Sequence, residues 1–188
     1  MGLLDTLFGR SKPVKSRTEQ LFAISTARIT LEDRLGMKVG HTGGVVYRPI
    51  QSSSFEETQR ELTDLLTLSE RESGSTITQQ HDAYGYSWVM VNDQDFEDLV
   101  ATIHMVSLTL AEKGFQDQLL AAAFRFDKDG RPVYWLYNYK RGAYYPFAPT
   151  GPNTRDNGAE LRYAPLMERE LPMEKQTEQW YPLWGIPF

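Results

Sequence analysis

The pattern of apolar residues is clearest between Asn92 and Lys140, where it predicts a long helix followed by a β-hairpin. In the helix, apolar residues recur at spacings of three and four, which places them on one face. They are Phe96, Leu99, Val100, Ile103, Val106 and Leu110. Asn92 or Asp93 is placed to cap the first turn, and Gly114 is placed to end the helix in a left-handed conformation.

Apolar and polar residues alternate on both sides of a turn at residues 127–130, which predicts two paired strands. The first strand runs from Leu119 to Phe126 and the second from Pro132 to Tyr139. One face of this hairpin is expected to carry Leu120, Ala122, Phe124, Phe126, Val133, Trp135, Tyr137 and Tyr139. A helix packed on such a face forms a hydrophobic core, so this stretch predicts the fold rather than a reaction.

Upstream, the pattern predicts a strand, another long helix and another hairpin. Residues 25–35 are compatible with either helix or strand, and the glycine-rich residues 40–44 lead into a strand over residues 44–48. A capping box, Ser53 with Glu56 or Ser54 with Glu57, opens a helix that ends near residue 74. Its apolar residues are Phe55, Leu62, Leu65, Leu66 and Leu68. Residues 76–82 and 86–92 form the additional hairpin.

The resulting order is strand, helix, hairpin, helix, hairpin. It predicts a single α+β domain over residues 18–165, in which an antiparallel sheet of about five to six strands packs against two long helices. Residues 141–157 are rich in proline and glycine and are expected to form a loop, followed by a short helix over residues 159–167. Residues 166–188 form an aromatic, proline-rich tail. We expect it to fold back over the domain rather than dock a partner, because exposed patches of this kind are uncommon on monomers.

Residues 1–17 form a short amphipathic and basic segment. If this segment is helical, its apolar residues share one side; they are Leu3, Leu4, Leu7 and Phe8. The basic residues that follow are Arg10, Lys12, Lys15 and Arg17. With Asp5 as the one acid, the segment has a net charge of +3, which leaves −8 for the rest of a chain whose total is −5. Leu3, Leu4, Leu7, Phe8, Arg10 and Lys12 are therefore candidate contacts to a partner or an anionic membrane. The alternatives are packing on the protein's own body and disorder.

Composition narrows the class of protein. A hydrophobic fraction of 40% with 24% charged residues is ordinary for a globular protein, and the net charge of −5 argues against nucleic acid as a partner. The aromatic run from Tyr134 to Tyr145 fits strand propensity without a bound nucleic acid. The chain has no cysteine and no stretch approaching the ~18 apolar residues of a membrane-spanning helix. We therefore expect a cytoplasmic protein, with peripheral attachment to the inner face of the cell membrane as the alternative that residues 1–17 raise.

The sequence contains no catalytic, cofactor-binding or metal-binding constellation. His41, His81 and His104 do not have the spacing of a metal site. His81 and Asp82 are adjacent, but neighbouring residues of a strand point to opposite faces. A hydrolase that uses scattered carboxylates such as Asp82 and Glu97 needs a pocket that the sequence does not predict. We therefore expect a protein that is not an enzyme and needs no cofactor.

Several runs resemble a small actinobacterial and haloarchaeal family, the PspA-associated protein PspAB. They are MGLLDTLFGR at residues 1–10, KP at 12–13, EQLFA at 19–23, FRF at 124–126 and YWLYNY at 134–139, together with the Trp- and Pro-rich tail. The resemblance implies a role in the phage-shock response to membrane stress, with a PspA-like protein as partner. It also implies a gene neighbourhood shared with the membrane protease HtpX, and it implies no catalytic residues.

The sequence thus predicts a non-enzymatic protein-interaction module linked to the PspA membrane-stress response. Two alternatives remain open at this point. The order of elements is also compatible with a secretion-chaperone-like, YbjN-like protein-binding domain, and a hydrolase of unknown substrate is the other alternative.

The pattern of residues 1–17 leads to a test on lipid vesicles. Each basic residue contributes about 1 kcal/mol near an anionic surface, and the apolar residues add insertion. We expect salt-sensitive co-sedimentation with anionic vesicles, little with neutral vesicles, and loss of binding in a Leu7→Asp/Phe8→Asp double variant. Sedimentation of neither protein under any salt condition would exclude direct membrane contact.

Overall fold

A computed structural model describes residues 20–188. Its helices are α1 (Ala23–Leu35), α2 (Ser53–Ser73), α3 (Phe96–Glu112) and α4 (Asn157–Met167). Its strands are β1 (Lys38–Tyr47), β2 (Thr76–His81), β3 (Ser87–Asn92), β4 (Leu119–Lys128), β5 (Arg131–Asn138), β6 (Ala143–Phe147), β7 (Pro149–Gly151) and β8 (Thr154–Arg155). The α+β class is confirmed.

The main sheet has six strands in the order β2-β3-β1-β4-β5-β6, and every neighbouring pair is antiparallel. Helices α1, α2 and α3 bury their apolar faces on one side of it. Strands β7 and β8 form a separate two-stranded sheet. The predicted single antiparallel sheet packed on long helices is therefore confirmed, with six strands.

Helix α3 is the central helix, and its predicted apolar face is buried in full. Phe96, Leu99, Val100, Ile103, Val106 and Leu110 all belong to the main core. The cap is Asp95, two or three residues later than the predicted Asp93 or Asn92, and its carboxylate accepts a hydrogen bond from the backbone N–H of Glu97 at 2.8 Å. Gly114 has φ +84°, as predicted for a residue that ends a helix.

The structure settles the type of one predicted segment and moves the start of another. The ambiguous segment is helix α1, and Gly36 ends it in the left-handed conformation. The cap of helix α2 is Ser52, one or two residues before the proposed Ser53 or Ser54, and its hydroxyl accepts the Phe55 N–H. Among the apolar residues of this helix, Leu68 lies outside the core: its side chain is 51% exposed, because it projects away from the stripe formed by Leu62 and Leu66.

The β4–β5 hairpin closes as predicted through Asp129 and Gly130, which have φ of +52° and +76°. Its core face is confirmed at seven of the eight expected positions. Leu120 is the exception and faces the opposite side of the sheet. The register between β1 and β4 shifts between Val46 and Tyr47, and this bulge turns Leu119 rather than Leu120 towards the helices.

Residues 141–157 are not the loop that their composition predicted. They contain β6, β7, β8 and the first residue of α4. Pro146 is tolerated because β6 is the last strand of the sheet, where the N–H that proline lacks is not needed for pairing. The chain itself covers this edge, since the Tyr144 N–H donates to Pro172 O at 2.7 Å and the Glu174 N–H donates to Tyr144 O at 2.8 Å.

Strand β2 forms the other edge, and most of its residues are exposed. The Ile77 N–H donates to the Glu70 carboxylate of α2 at 2.6 Å. Gln79 is tied to the same helix through Thr63, with 3.2 Å between Nε2 and Oγ1. Side chains of α2 thus occupy hydrogen-bonding positions along this edge.

The aromatic tail folds back onto the side of the sheet that faces away from the helices. Backbone carbonyls of the tail accept hydrogen bonds from side chains of the body. Tyr134 donates to Phe188 O at 2.6 Å, Tyr145 to Tyr181 O at 2.9 Å, and Arg155 to Trp180 O at 2.7 Å. Polar contacts therefore fix the path of the tail, and apolar burial holds it there.

The glycine-rich stretch is part of strand β1 rather than only its approach, since β1 begins at Lys38. Gly43 and Gly44 provide space rather than unusual backbone angles. A Cβ on Gly43 would lie 2.7 Å from Ile103 Cδ1 of α3, and one on Gly44 would lie 2.9 Å from a ring carbon of Phe188. Neighbouring glycines of one strand thus let α3 approach one face of the sheet and the tail approach the other.

This close approach predicts a large effect of one methyl group. Gly43→Ala should lower the free energy of unfolding by about 1–3 kcal/mol, because the new Cβ overlaps Ile103 and Leu99. Urea unfolding measures the change. Gly158→Ala is the matched control: its Cβ would meet neighbouring atoms at 3.4 Å, so unfolding should be unchanged or slightly strengthened. Equal stability of the two variants would contradict this account of β1.

Buried tyrosines predict a fall in stability at alkaline pH. Burial raises the pKa of Tyr139, Tyr144 and Tyr145 above the ordinary value of 10.0. The unfolded chain therefore loses these protons first, so stability is fully present below pH 10 and falls as pH rises towards the folded pKa values. Each group can remove up to about 1.4 kcal/mol per pH unit in that range.

Urea unfolding at about pH 8 and about pH 11 measures this loss. The Tyr145→Phe variant is the control, because it keeps the ring and removes one ionisable hydroxyl. Its stability should decline less steeply above pH 10 than that of the parent. A decline of the same steepness in both proteins would show that Tyr145 does not contribute.

Candidate interaction groove

The candidate contacts identified from sequence cannot be placed. Leu3, Leu4, Leu7, Phe8, Arg10 and Lys12 lie outside residues 20–188, which the structure describes. The candidate membrane and partner contacts of the N-terminal segment stay predictions. Among residues 20–188, no helix combines the length and the apolar character needed to cross a membrane.

His81 and Asp82 serve the turn between β2 and β3. The Asp82 carboxylate accepts the N–H groups of Tyr84 and Tyr86 at 2.9 Å and the indole N–H of Trp88 at 3.0 Å. Burial alone would raise the pKa of Asp82, but these hydrogen bonds outweigh burial and lower it. The His81 ring lies 2.9 Å from the Ser87 hydroxyl, measured from Nδ1. The interactions of both side chains are thus local to this turn.

Asp82 and Glu97, the carboxylates considered for a hydrolase, do not converge. Asp82 lies at the turn of the β2–β3 hairpin, whereas Glu97 follows the far end of β3, where Asn92 pairs with Thr76. Six paired residues separate the two ends, a span of ~20 Å. Within the described part of the chain, no cluster of three or more His, Cys, Asp or Glu is arranged to hold a metal ion.

The outer surface of the helix layer contains an open groove between α2 and α3, with a volume of about 360 Å³. It is lined by Ser69, Glu72, Ser73, Asp98, Ala101, Thr102 and Met105. The α3 residues of the lining extend from position 98 to 105, which corresponds to about two helical turns or ~10 Å. The groove therefore has the length of a short helix.

The sequence produces this groove by placing small residues where α2 and α3 face each other. Ser69 and Thr102 are 3.4 Å apart between their hydroxyl oxygens, and Lys113 lies 2.5 Å from the Glu61 carboxylate further along. These two contacts show that the helices run antiparallel. Both ends of the Lys113–Glu61 pair are 45% exposed, so this ion pair contributes little stability. Small side chains at positions 69, 101 and 102 leave the space between the helices open.

Apolar side chains lie beside this groove without being covered. Leu68 is one helical turn from Glu72 on the same face of α2, and Met105 in the lining is half-buried. On the other flank of α3, away from α2, the Phe22 ring is 41% exposed and lies 4.5 Å from the ring of His104, measured between centroids. The groove and its flanks therefore combine an apolar strip with polar edges.

The charge around the groove is strongly negative. Helix α3 has no lysine or arginine and carries Glu97, Asp98 and Glu112. Helix α2 carries Glu56, Glu57, Glu61, Asp64, Glu70 and Glu72 against Arg60 and Arg71. Glu72 and Asp98 are themselves part of the lining. Such a surface attracts cationic ligands and repels anionic ones.

Comparison with known proteins supplies the family. The family model described as "PspA associated protein B" matches residues 1–188, the whole of this sequence. The chain belongs to the PspA associated protein B family. Membership links it to the PspA system, as the resemblance implied.

Searches of curated proteins and of solved structures found no match to this PspA associated protein B family member. The likeness to secretion chaperones and YbjN-like domains therefore has no support from a known structure. Nor do these comparisons test whether the chain is an enzyme, so its non-enzymatic character remains a prediction.

The sequence reasoning missed the groove of this PspA associated protein. A signal was present in α2, where Leu65, Leu66 and Leu68 are too close together to share one narrow stripe. In α3, Ala101 and Met105 lie outside the predicted apolar face, one turn apart on the same side. These residues indicate a partner-facing side on each helix, but only the packing of the helices shows that the two sides meet.

Proposed function

We propose that this protein is a non-enzymatic interaction module of the PspA-linked membrane-stress response, and that the α2–α3 groove binds a short basic, amphipathic helix of a PspA-related protein. Family membership supports the link to PspA. The observation that carries the binding role is the open groove itself, in which the apolar side chains of Ala101 and Met105 lie with the acidic Glu72 and Asp98.

A helix is the ligand whose shape suits this groove. Two antiparallel helices with small residues between them accept a third helix that inserts its apolar side chains into the gap. The ~10 Å lining matches two turns of such a ligand. Leu68 and Met105 would contact its apolar face, and the acidic edge would select basic flanking residues over acidic ones.

The positions of the polar residues also favour binding over hydrolysis. A hydrolase needs a base, a nucleophile or bound water, and a stabilising group within a few ångströms of one another. The Asp82 carboxylate is instead used by the turn that it closes, and Glu97 lies far from it. This supports the binding role for the described residues.

Replacing an apolar side chain beside the groove by a positively charged one tests the proposal. Leu68→Arg should weaken binding of the PspA protein from the same organism by about tenfold or more, since loss of an apolar contact that matters costs over 1 kcal/mol. Isothermal titration calorimetry measures the affinity. Leu68 is 51% exposed, so the variant should keep the melting temperature of the parent.

Leu166→Arg is the matched control. Leu166 is 46% exposed, lies on α4 and receives the same substitution away from the groove. Its affinity for PspA should equal that of the parent. Equal weakening by both variants would indicate a general charge effect, and parental affinity in Leu68→Arg would place the PspA contact elsewhere.

A further inference from the structure

We propose that the groove has an occupant within the same chain: the segment carrying Leu3, Leu4, Leu7 and Phe8 docks between α2 and α3 and competes with the external helix. This docking would regulate the access of a partner helix to the groove, and that consequence rests on the proposed function. The docking itself is argued separately, from the connection of the segment to the described chain, the spacing of its apolar residues and the charges on the segment and the groove.

The described chain begins beside α3, on the flank of that helix that faces away from α2. Phe22, two residues after the first described residue, contacts the His104 ring at 4.5 Å, and Met105 of the lining is the next residue of α3. From His104 to Asp98 the groove extends ~9 Å along the helix. Residues 13–19 can span up to ~24 Å when extended, so the chain reaches the whole groove.

The apolar spacing of the segment fits the groove. On a helix, Leu3, Leu4, Leu7 and Phe8 cover one side over a length of ~8 Å, close to the two turns of the lining. Such a short helix is not stable alone, because nucleation is unfavourable. Contact with Ala101, Met105 and Leu68 would supply the burial that the isolated segment lacks.

Charge complementarity selects this occupant over a second copy of the groove. Arg10, Lys12, Lys15 and Arg17 follow the apolar residues, whereas α2 and α3 are rich in acids. Two copies of the helix layer packed face to face would bring Glu72 and Asp98 of each against those of the other, and like charges repel. Docking of the basic segment would instead bring its positive charges against the acidic residues of α2 and α3.

Because the segment and the groove belong to one chain, a weak contact between them is sufficient to keep the groove occupied. A short tether holds the segment at an effective concentration in the ~mM range, so an affinity too low to measure between separate molecules can keep the groove occupied. An external helix then has to displace the segment. Its apparent affinity is reduced by the fraction of molecules in which the groove is open.

Paramagnetic relaxation provides a direct test, because the chain has no cysteine to interfere with labelling. A nitroxide is attached to a Ser11→Cys variant, and backbone amide intensities are recorded by NMR. We expect loss of intensity at Ala101, Met105 and Glu72, and none at Leu161 on α4. Uniform intensities across these residues would overturn the inference.

Three further double variants, one of them a control, separate docking from chance proximity. Leu7→Asp/Phe8→Asp in the labelled protein should restore the groove intensities. Glu72→Gln/Asp98→Asn should restore them at least halfway, whereas Glu168→Gln/Glu170→Gln, which removes the same charge from an exposed turn beyond α4, should leave them reduced. Persistent broadening in the Leu7→Asp/Phe8→Asp variant would contradict apolar docking.

The consequence for the partner is measured with a chain that lacks residues 1–17. It should bind PspA roughly twofold to tenfold more tightly than the parent, as expected when a competitor that occupies the groove in 50–90% of molecules is removed. Weaker PspA binding by the shortened chain would overturn the competition and indicate that the segment itself contacts PspA.

The two proposals fail in different ways. If the groove amides broaden but Leu68→Arg leaves PspA affinity unchanged, the internal docking stands and the proposed PspA site is wrong. If the groove amides do not broaden while the parent sediments with anionic vesicles, the segment belongs to the membrane and the internal docking is wrong.

Discussion

The structure depends on how closely other elements approach strand β1. Gly43 and Gly44 are consecutive, so the side chains that they lack would point to opposite faces of the sheet. On one face, Ile103 and Leu99 of α3 occupy the space; on the other, Phe188 of the tail does. Because β1 is paired with both β3 and β4, these two adjacent positions set how closely α3 and the tail approach an inner strand of the sheet.

Much of this architecture is predictable from local pattern. Helix α3 and the β4–β5 hairpin carry strong periodicity, and their core faces agree with it except at Leu120. That exception arises from a bulge, which depends on how β4 pairs with β1 rather than on β4 alone. Strand β6 was missed because the surrounding prolines and glycines indicate a loop, although an edge strand tolerates Pro146.

The groove shows a different limit of sequence reasoning. Its lining comes from residues on α2 and α3 that are unremarkable in each helix: small side chains, one methionine and two acids. They become a surface only when α3 packs beside α2 in antiparallel orientation, which the Ser69–Thr102 and Glu61–Lys113 contacts record. The basic segment before residue 20 was recognised by its own pattern, whereas the acidic surface that α2 and α3 form together is visible only in the assembled helix layer.

The edges of the sheet also affect how the molecule behaves at high concentration. Unpaired edge strands are templates for pairing with other chains, which leads to aggregation. Here residues 172–174 cover β6, and on β2 the Glu70 carboxylate accepts the Ile77 N–H. An incoming strand would have to displace a charged group before it could pair with Ile77. The folded domain thus offers other chains one edge that its own backbone covers and one that a carboxylate obstructs, which lowers its tendency to add strands from them.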